Sequence, residues 1–226
     1  MAIAFVNSTA KIITAAASTW SMAYHSSRTG GAAYFLGVGL ATGAISVSSA
    51  GDNLGAQFTL AKRQTGTSTS AAELWYATNQ SSASTRVFVG LSGASSGGLA
   101  IGQFTGISTA NALGPTGSSA IGANSTSHGA SQITSSGIAI SFSRLTASTI
   151  GTVTVLGGMS QWVTTAALLR TVGLYLNNAN ESTVTGSYTT SSRAMHASVI
   201  AAFFDTAVAA AAGFRIRRRR LLGIGA

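Results

Sequence analysis

Short runs with a period of two are the feature that most limits how this chain can fold. Apolar and polar side chains alternate in residues 57–61 and 86–91, and residues 138–143 follow the same pattern. Alternation places one set of side chains on each face of an extended strand, and the Gly, Ser, Thr and Asn residues between the runs favour turns. No segment before residue 197 has a long helical period. The pattern therefore predicts an all-β fold, an antiparallel β-sandwich.

Runs of this kind recur along most of the chain, each bounded by small or polar residues. Residues 106–136 differ, because they include few large apolar side chains and a strong turn signal at residues 114–117. This stretch fits either a long exposed loop or a run of short, weakly patterned edge strands. The strands expected from the sequence cover residues 19–25, 33–40, 44–48, 57–62, 73–78, 86–91, 99–105, 137–143, 152–156, 169–176, 184–189 and 195–204.

The character of the chain changes after residue 205, where the alternating runs end. The remaining residues can form a short helix over residues 207–212 or an extended basic tail. A membrane segment over residues 199–214 would be shorter than the ~20 apolar residues that a spanning helix needs. We therefore expect a β-sandwich domain over residues 1–205 and a separate Ala-rich, then Arg-rich segment over residues 206–226.

The chain is poor in charge and strongly basic. Only 8% of its residues are charged, with 13 Lys and Arg against 4 Asp and Glu, which gives a formal net charge of +9. A weakly charged, hydroxyl-rich surface offers little repulsion against association, so it predicts a homo-oligomer rather than a monomer. The absence of cysteine excludes disulfides and cysteine-based zinc sites. The first residues lack the basic and long apolar regions of a signal peptide.

Motifs for catalysis and cofactor binding are missing from the sequence. The four acidic residues are far apart, and His25, His128 and His196 have no metal-binding spacing, so we interpret them as ordinary surface or strand histidines. The Gly-Val-Gly at residues 37–39 is not followed by the Gly-Lys-Ser/Thr of a phosphate loop. We therefore predict that the chain is not an enzyme and has no catalytic, cofactor-binding or metal-binding residues.

Four large aromatic residues, Trp20, Trp75, Tyr76 and Trp162, could either line a sugar-binding platform or fill the core. Trp75 and Tyr76 are neighbours on a predicted strand and therefore face opposite sides of its sheet. We prefer the core interpretation, because much of the apolar content of this chain is alanine and the core must depend on its fewer large side chains.

The densest local signal is the arginine segment, residues 215–226, in which a run of four arginines is flanked by apolar residues. Guanidinium groups pair with phosphates or carboxylates, and the apolar neighbours can fill a groove on a partner. A passive, solvated tail is the alternative. The residues that we expect to contact a partner are Arg215, Arg217, Arg218, Arg219, Arg220, Leu221, Leu222 and Ile224.

Three stretches share a strand spacing and a small-residue composition: residues 73–78 (Glu-Leu-Trp-Tyr-Ala-Thr), 86–92 (Arg-Val-Phe-Val-Gly-Leu-Ser) and 99–107 (Leu-Ala-Ile-Gly-Gln-Phe-Thr-Gly-Ile). In these stretches the chain resembles the jelly-roll-like β-sandwich proteins of tailed bacteriophage virions and of bacterial surfaces. The resemblance covers residues 30–205 and does not extend to the arginine segment. It implies a structural or attachment role and supplies no catalytic residues.

Two functions follow as expectations. The first is a virion structural protein, a capsid or capsid-decoration component, which self-assembles through its β-sandwich and docks by its arginine segment. Its partners would be further copies of this chain and another structural protein of the same assembly, and the arginines can also contact nucleic acid or anionic lipid. The second is a secreted or cell-surface β-sandwich module that binds glycans or forms extracellular fibres. No small-molecule substrate is expected for the first function.

Overall fold

The computed structural model describes residues 3–66, 70–130, 137–146, 151–164, 171–177 and 184–205, and it describes the backbone alone for residues 121–124. The regular structure in these ranges is β-strand, arranged in two antiparallel sheets. The predicted all-β fold, an antiparallel β-sandwich, is therefore confirmed. The helix or tail expected over residues 206–226 lies outside the described residues. Among the residues described, no helix is long and apolar enough to cross a membrane.

The strands follow one another in the chain without an intervening helix in the described ranges. Their bounds are β1 (Ala4–Ala23), β2 (Ala32–Leu40), β3 (Val47–Asp52), β4 (Thr59–Thr65), β5 (Ala71–Gln80), β6 (Arg86–Thr105), β7 (Leu113–Gly129), β8 (Ile138–Thr146), β9 (Val153–Val155), β10 (Ser160–Thr164), β11 (Thr171–Asn177) and β12 (Ser187–Phe203).

The chain completes one sheet before it begins the other. The first sheet has the strand order β1-β6-β2-β5-β4, and β3 also pairs with β6. The second sheet has the order β7-β12-β8-β11-β10, and β9 also pairs with β12. We call residues 4–105 the first half and residues 113–203 the second half.

The two halves have the same topology and the same register. Matching β1 with β7, β2 with β8 and so on to β6 with β12 turns the strand order of the first sheet into that of the second. The irregularities match as well. The β4–β5 pair shifts register between Leu60 and Lys62, and the β10–β11 pair does so between Gln161 and Val163. The molecule is therefore an internal structural duplication, in which strand residues of one half have counterparts in the other.

The long strands β1 and β7 bend in the same way. The β1–β6 pair shifts register on both sides of the Ala17–Ser95 pair. The β7–β12 pair has matching shifts on both sides of the Ser125–Ala194 pair. Such β-bulges kink a strand and increase its twist. Each bend is bridged by a side chain: Lys11 Nζ donates to the carbonyl of Ser21 at 2.9 Å, and Ser119 Oγ donates to the carbonyl of Gly129. These two bridges join counterpart positions.

The bends allow each sheet to enclose apolar side chains of its own, in addition to the core that the two sheets share. The shared core contains Phe35 and Phe104 from the first half and Ile140, Phe142 and Phe203 from the second. Each half also contains a separate buried cluster made only of its own strands and loops. The molecule therefore has a central core between the halves and an inner core within each half.

Glycines on β2 make room for large side chains on β8 in the central core. A Cβ atom added to Gly37 would lie 2.2 Å from the ring of Phe142, and one added to Gly39 would lie 2.8 Å from Cδ of Arg144. The register makes Phe142 the counterpart of Gly37 and Arg144 the counterpart of Gly39. Duplication thus places large residues of one half against glycines of the other. This packing explains the Gly-Val-Gly at residues 37–39 without a phosphate ligand.

The outer strands of one sheet lie against those of the other. Ser8 Oγ on β1 donates to the carbonyl of Trp162 on β10 at 2.5 Å, and β4 lies beside β7. The ring of Trp162 covers Gly102 of the first half and Gly173 of the second, where an added Cβ would lie within 3 Å of it. The sandwich is therefore partly closed along both sides.

The strand predictions differ from the structure mainly in length. Residues 4–18 belong to β1, although the sequence pattern predicts no strand before residue 19, and β6 and β12 are each one long strand where the pattern predicts two. Most of residues 106–136 forms β7, so the expectation of edge structure is correct for residues 113–129, but one strand of 17 residues stands where several short strands are expected. The turn expected at residues 114–117 is instead a bulged part of this edge strand, where Pro115 is tolerated because an edge needs no donor there.

Candidate functional site

The residues predicted to bind a partner all lie outside the described part of the chain. The structure consequently provides no geometry for them, and their role stays a prediction. They are Arg215, Arg217, Arg218, Arg219, Arg220, Leu221, Leu222 and Ile224.

Two of the three histidines, which are far apart in sequence, meet inside the second half. His128 on β7 and His196 on β12 are both buried, and their Nδ1 atoms lie 3.0 Å apart. The outer nitrogens contact hydroxyls: His128 Nε2 lies 2.8 Å from Thr190 Oγ1, and His196 Nε2 lies 3.1 Å from Ser119 Oγ. His25 takes no part, because it lies in the exposed loop after β1 and accepts from the backbone N–H of Ser27.

The four polar groups form one hydrogen-bonded chain between two backbone carbonyls. Ser119 Oγ can donate to Gly129 O at one end, and Thr190 Oγ1 can donate to Ser192 O at 2.7 Å at the other. If both hydroxyls donate outward, both imidazoles must donate through Nε2, and the facing Nδ1 atoms then need a proton between them. When the pair is neutral, one hydroxyl donates inward instead. The chain can therefore hold one extra proton and no more, since a second would place two cations 3.0 Å apart.

Burial opposes protonation of this pair. Removal from water lowers the pKa of His128 from the ordinary 6.5 to about 4, and the adjacent His196 lowers it in the same direction. The pKa of His196 is also lowered by burial, and a hydrogen bond to the Gly129 carbonyl opposes that effect. In the described ranges the second half contains no Asp or Glu that could stabilise an imidazolium.

The counterpart positions show what the pair does in the fold. Matching the halves at their bulges makes Trp20 the counterpart of His128 and Gly97 the counterpart of His196. A Cβ added to Gly97 would lie 2.5 Å from the ring of Trp20, so the indole covers the glycine. One large ring over a glycine in the first half thus corresponds to two imidazoles in the second. The histidines fill a core position and satisfy each other's polar atoms.

The chemistry that the pair could support is limited by its surroundings. A serine hydroxyl beside an imidazole that contacts a second imidazole has the order of groups found in nucleophilic hydrolases. Ser119 is not among the residues that line the cleft where the two halves meet. The contacts of the histidine pair are those of a structural, proton-binding unit. Within the described residues, no group of three or more His, Cys, Asp or Glu side chains could hold a metal ion.

Asp52 and Glu73 have separate roles in the first half. Asp52 holds the turn after β3, where its Oδ1 accepts from the backbone N–H groups of Leu54 and Ala56. Glu73 is buried in the first half and contacts Arg63 at 3.4 Å, while Glu181 lies outside the described residues. Burial raises the pKa of Glu73, and hydrogen bonds from Trp75 and Val47 followed by the Arg63 charge lower it in part.

The tryptophans are core residues. Trp20 and Trp75 lie in the inner core of the first half, and Trp162 lies in the central core. Tyr76 faces the opposite side of β5 from Trp75, as the alternation predicts, and its ring contacts Phe203 at 5.1 Å. An aromatic platform formed by these residues together is therefore absent from the described surface.

A polar cleft of about 490 Å³ lies where the two halves meet. It is bounded by β4 and β5 of the first half and by residues 109–113, which lead into β7. Its lining is neutral, made of amides, hydroxyls, a tyrosine and small apolar groups. The lining residues are Gln57, Thr59, Tyr76, Ala77, Thr78, Gln80, Thr109, Asn111, Ala112 and Leu113. Sequence reasoning misses this cleft, because its parts come from three separate segments.

The counterpart tyrosine of the second half is covered by a ring. Tyr175 is the counterpart of Tyr76, and Phe5 of the first half stacks on it with ring centroids 5.5 Å apart. Asn177 Nδ2 donates to the carbonyl of Ile3 at 2.6 Å beside this contact. The counterpart of Phe5 is Leu113 of the second half, and it lines the cleft beside Tyr76.

Comparison of the chain with protein-family models, with curated proteins and with solved structures gives no match.

Proposed function

We propose that this chain is a non-enzymatic structural protein of a virion, a capsid or capsid-decoration component that assembles with copies of itself. The observation that carries the proposal is the combination of few charges with large apolar side chains at the surface. Leu54 is 54% exposed, Phe88 is 44% exposed and Leu156 is 42% exposed, in a chain with 8% charged residues. A soluble monomer of this size usually opposes association with more charge than this.

The positions of two of these side chains fit contacts between subunits. Leu54 lies in the connection between β3 and β4, and Leu156 lies in the corresponding connection between β9 and β10. The duplicated fold therefore presents an apolar side chain in the same connection of each half. One subunit could thus offer two similar contacts to its neighbours, which suits a shell or a layer of repeated subunits.

A body joined through a shared core suits such a role. The halves share the central core, and their outer strands lie against each other on both sides of the sandwich. Edges covered in this way are poor templates for uncontrolled strand pairing. Specific contacts through the two exposed connections then determine how subunits associate. The arginine segment, residues 215–226, would add a docking site for a protein partner.

Light scattering at micromolar concentration and physiological salt tests the proposal. We expect the purified chain to form an oligomer of defined mass, and we expect Leu54→Ser with Leu156→Ser to shift it towards smaller species. The exposed Ser18→Ala change is the matched control and should leave the mass unchanged. A monomer for the unmodified chain would contradict self-assembly.

The arginine segment is tested in the same assay with the partner present. Each exposed arginine contact contributes only ~0–1 kcal/mol, so we expect its apolar residues to carry much of the binding. Leu221→Ser with Leu222→Ser should then weaken docking, and serine at the four consecutive arginines should weaken it with a change in salt dependence. Unchanged assembly and partner binding after deletion of residues 215–226 would show that the segment is passive.

A further inference from the structure

We infer that the cleft between the two halves is a binding site for a neutral saccharide, which stacks on Tyr76 and is hydrogen-bonded by the surrounding amides and hydroxyls. This inference rests on the cleft alone and does not depend on the proposed structural role. The duplication is what identifies the ligand position, because the counterpart site is already occupied by a ring.

The contacts of Tyr175, the counterpart of Tyr76, show where the ligand would stack. Phe5 lies nearly parallel to Tyr175, at an interplanar angle of 28°, while the same tyrosine contacts Phe104 edge-on. Tyr76 makes the matching edge-on contact with Phe203, but the smaller Leu113 replaces the stacking ring. A ligand with an apolar face, such as a pyranose ring, can lie beside Leu113 over the part of the Tyr76 ring that lines the cleft.

The polar lining suits hydroxyl groups. Gln57, Thr59 and Asn111 are exposed at the cleft, and they supply donors and acceptors without a formal charge. Gln80 is 6% exposed and donates to the carbonyl of Thr78, but its Oε1 has no hydrogen-bond partner in the described part of the chain. A buried acceptor of this kind beside a cleft is normally satisfied by a donor from water or a ligand.

The uncharged lining of the cleft favours a neutral sugar over charged ligands. None of the described residues that line the cleft is Lys, Arg, Asp or Glu. A phosphate, sulfate or carboxylate would therefore lose its hydration without gaining a cation, and an amine would find no carboxylate. Asn111 also adopts a left-handed conformation, with φ of 55°, which asparagine tolerates better than most residues because its side chain can bond locally. Asn111 therefore holds its place at the rim of the cleft without strain that would need another explanation.

Saturation-transfer NMR with the full chain tests the inference. The probes are methyl glycosides of glucose, galactose, mannose and N-acetylglucosamine, with sialic acid and glucose 6-phosphate as anionic comparisons. We expect at least one neutral glycoside to receive saturation, chiefly at the protons of one ring face, and to bind in the millimolar range. Transfer only to the anionic probes, or to none of the probes, would overturn the inference.

Three variants locate the binding. Leu113→Phe places beside Tyr76 the ring that Phe5 places on Tyr175, and it should abolish binding, while Gln57→Ala with Asn111→Gly should weaken it about tenfold by removing amide contacts. Gln64→Ala removes an amide that is on β4 but outside the cleft, and it should leave affinity unchanged. If Leu113→Phe does not fold, the Gln57→Ala with Asn111→Gly variant still tests the site. Equal affinity in the unmodified chain and in the folded cleft variants would place the sugar elsewhere and refute the site.

Discussion

At the scale of single residues, the buried pair His128 and His196 predicts that acid destabilises the folded protein. The pKa of His128 is lowered to about 4 from the ordinary 6.5, and that of His196 is lowered as well. Below pH 6.5 the unfolded chain binds protons that the folded pair does not, so folding loses stability as the pH falls from 6.5 towards 4. We expect a decrease on the order of 1–3 kcal/mol in the free energy of unfolding across that range, measured by urea denaturation.

Variants of the histidine pair test whether these two residues cause the decrease in stability with falling pH. His128→Gln with His196→Gln keeps polar groups but removes the titration, and His128→Trp with His196→Gly rebuilds the arrangement of the first half. Either double variant that folds should lose most of the pH dependence between pH 6.5 and 4. The exposed His25→Gln is the control and should keep the slope. A full slope in the double variants would mean that other groups cause the acid sensitivity.

The same residues show where sequence reasoning reaches its limit. His128 and His196 are separated by 68 residues in the chain, and nothing in their local spacing predicts a contact. Their counterparts, Trp20 and Gly97, differ from them in type but fill a similar position. A duplication that preserves packing rather than residue type is not evident from local spacing in the sequence. The repeat is visible in the strand order and in the register of the two sheets.

At the scale of elements, β2 and β8 can pack against each other because small residues on β2 face large side chains on β8. A Cβ on Gly37 would lie 2.2 Å from the Phe142 ring, which is far inside van der Waals contact. Gly37→Ala should therefore destabilise the protein by about 1–3 kcal/mol through overpacking, measured by urea denaturation. Gly30→Ala is the matched control, because its added Cβ would have its nearest neighbour at 3.7 Å, and it should cost less than about 0.5 kcal/mol.

A coupled variant separates overpacking from a simple loss of backbone freedom. If the methyl group that Gly37→Ala introduces strikes the Phe142 ring, then this substitution should cost less in a Phe142→Leu background, where the ring is gone. Urea denaturation of the two single variants and the double variant measures the difference. Equal costs in both backgrounds would refute the direct contact.

The strands themselves are more predictable than their crossing. Alternation in residues 86–91 and 138–143 locates β6 and β8, because the period of two is typical of an extended strand with two unlike faces. Residues 4–18 of β1 escape the sequence pattern, since that part of the strand is bulged and mostly exposed or half-buried and carries no clear period. Alternation locates strands but does not predict which face of a strand packs against which other strand. The cleft could not be predicted, because it is formed by such packing between β4, β5 and the residues that lead into β7.

At the scale of the whole molecule, the shared central core predicts that the two halves unfold together. Phe35 of the first half contacts Phe203 of the second at 4.5 Å, and Tyr76 contacts the same ring. Separating the halves would expose these side chains on both sides, so a half on its own loses much of its apolar burial. A change deep in one half should therefore lower the stability of the other.

Tryptophan fluorescence can test this coupling. In a Trp162→Phe background the remaining tryptophans, Trp20 and Trp75, report on the inner core of the first half. Leu174→Ala creates a cavity in the inner core of the second half, at a cost of about 2–5 kcal/mol, and we expect the first-half fluorescence transition to move to lower urea by a matching amount. Leu156→Ala, at an exposed position of the same half, should leave the transition in place. An unchanged first-half transition in Leu174→Ala, with a separate earlier transition by circular dichroism, would show two independently folding halves.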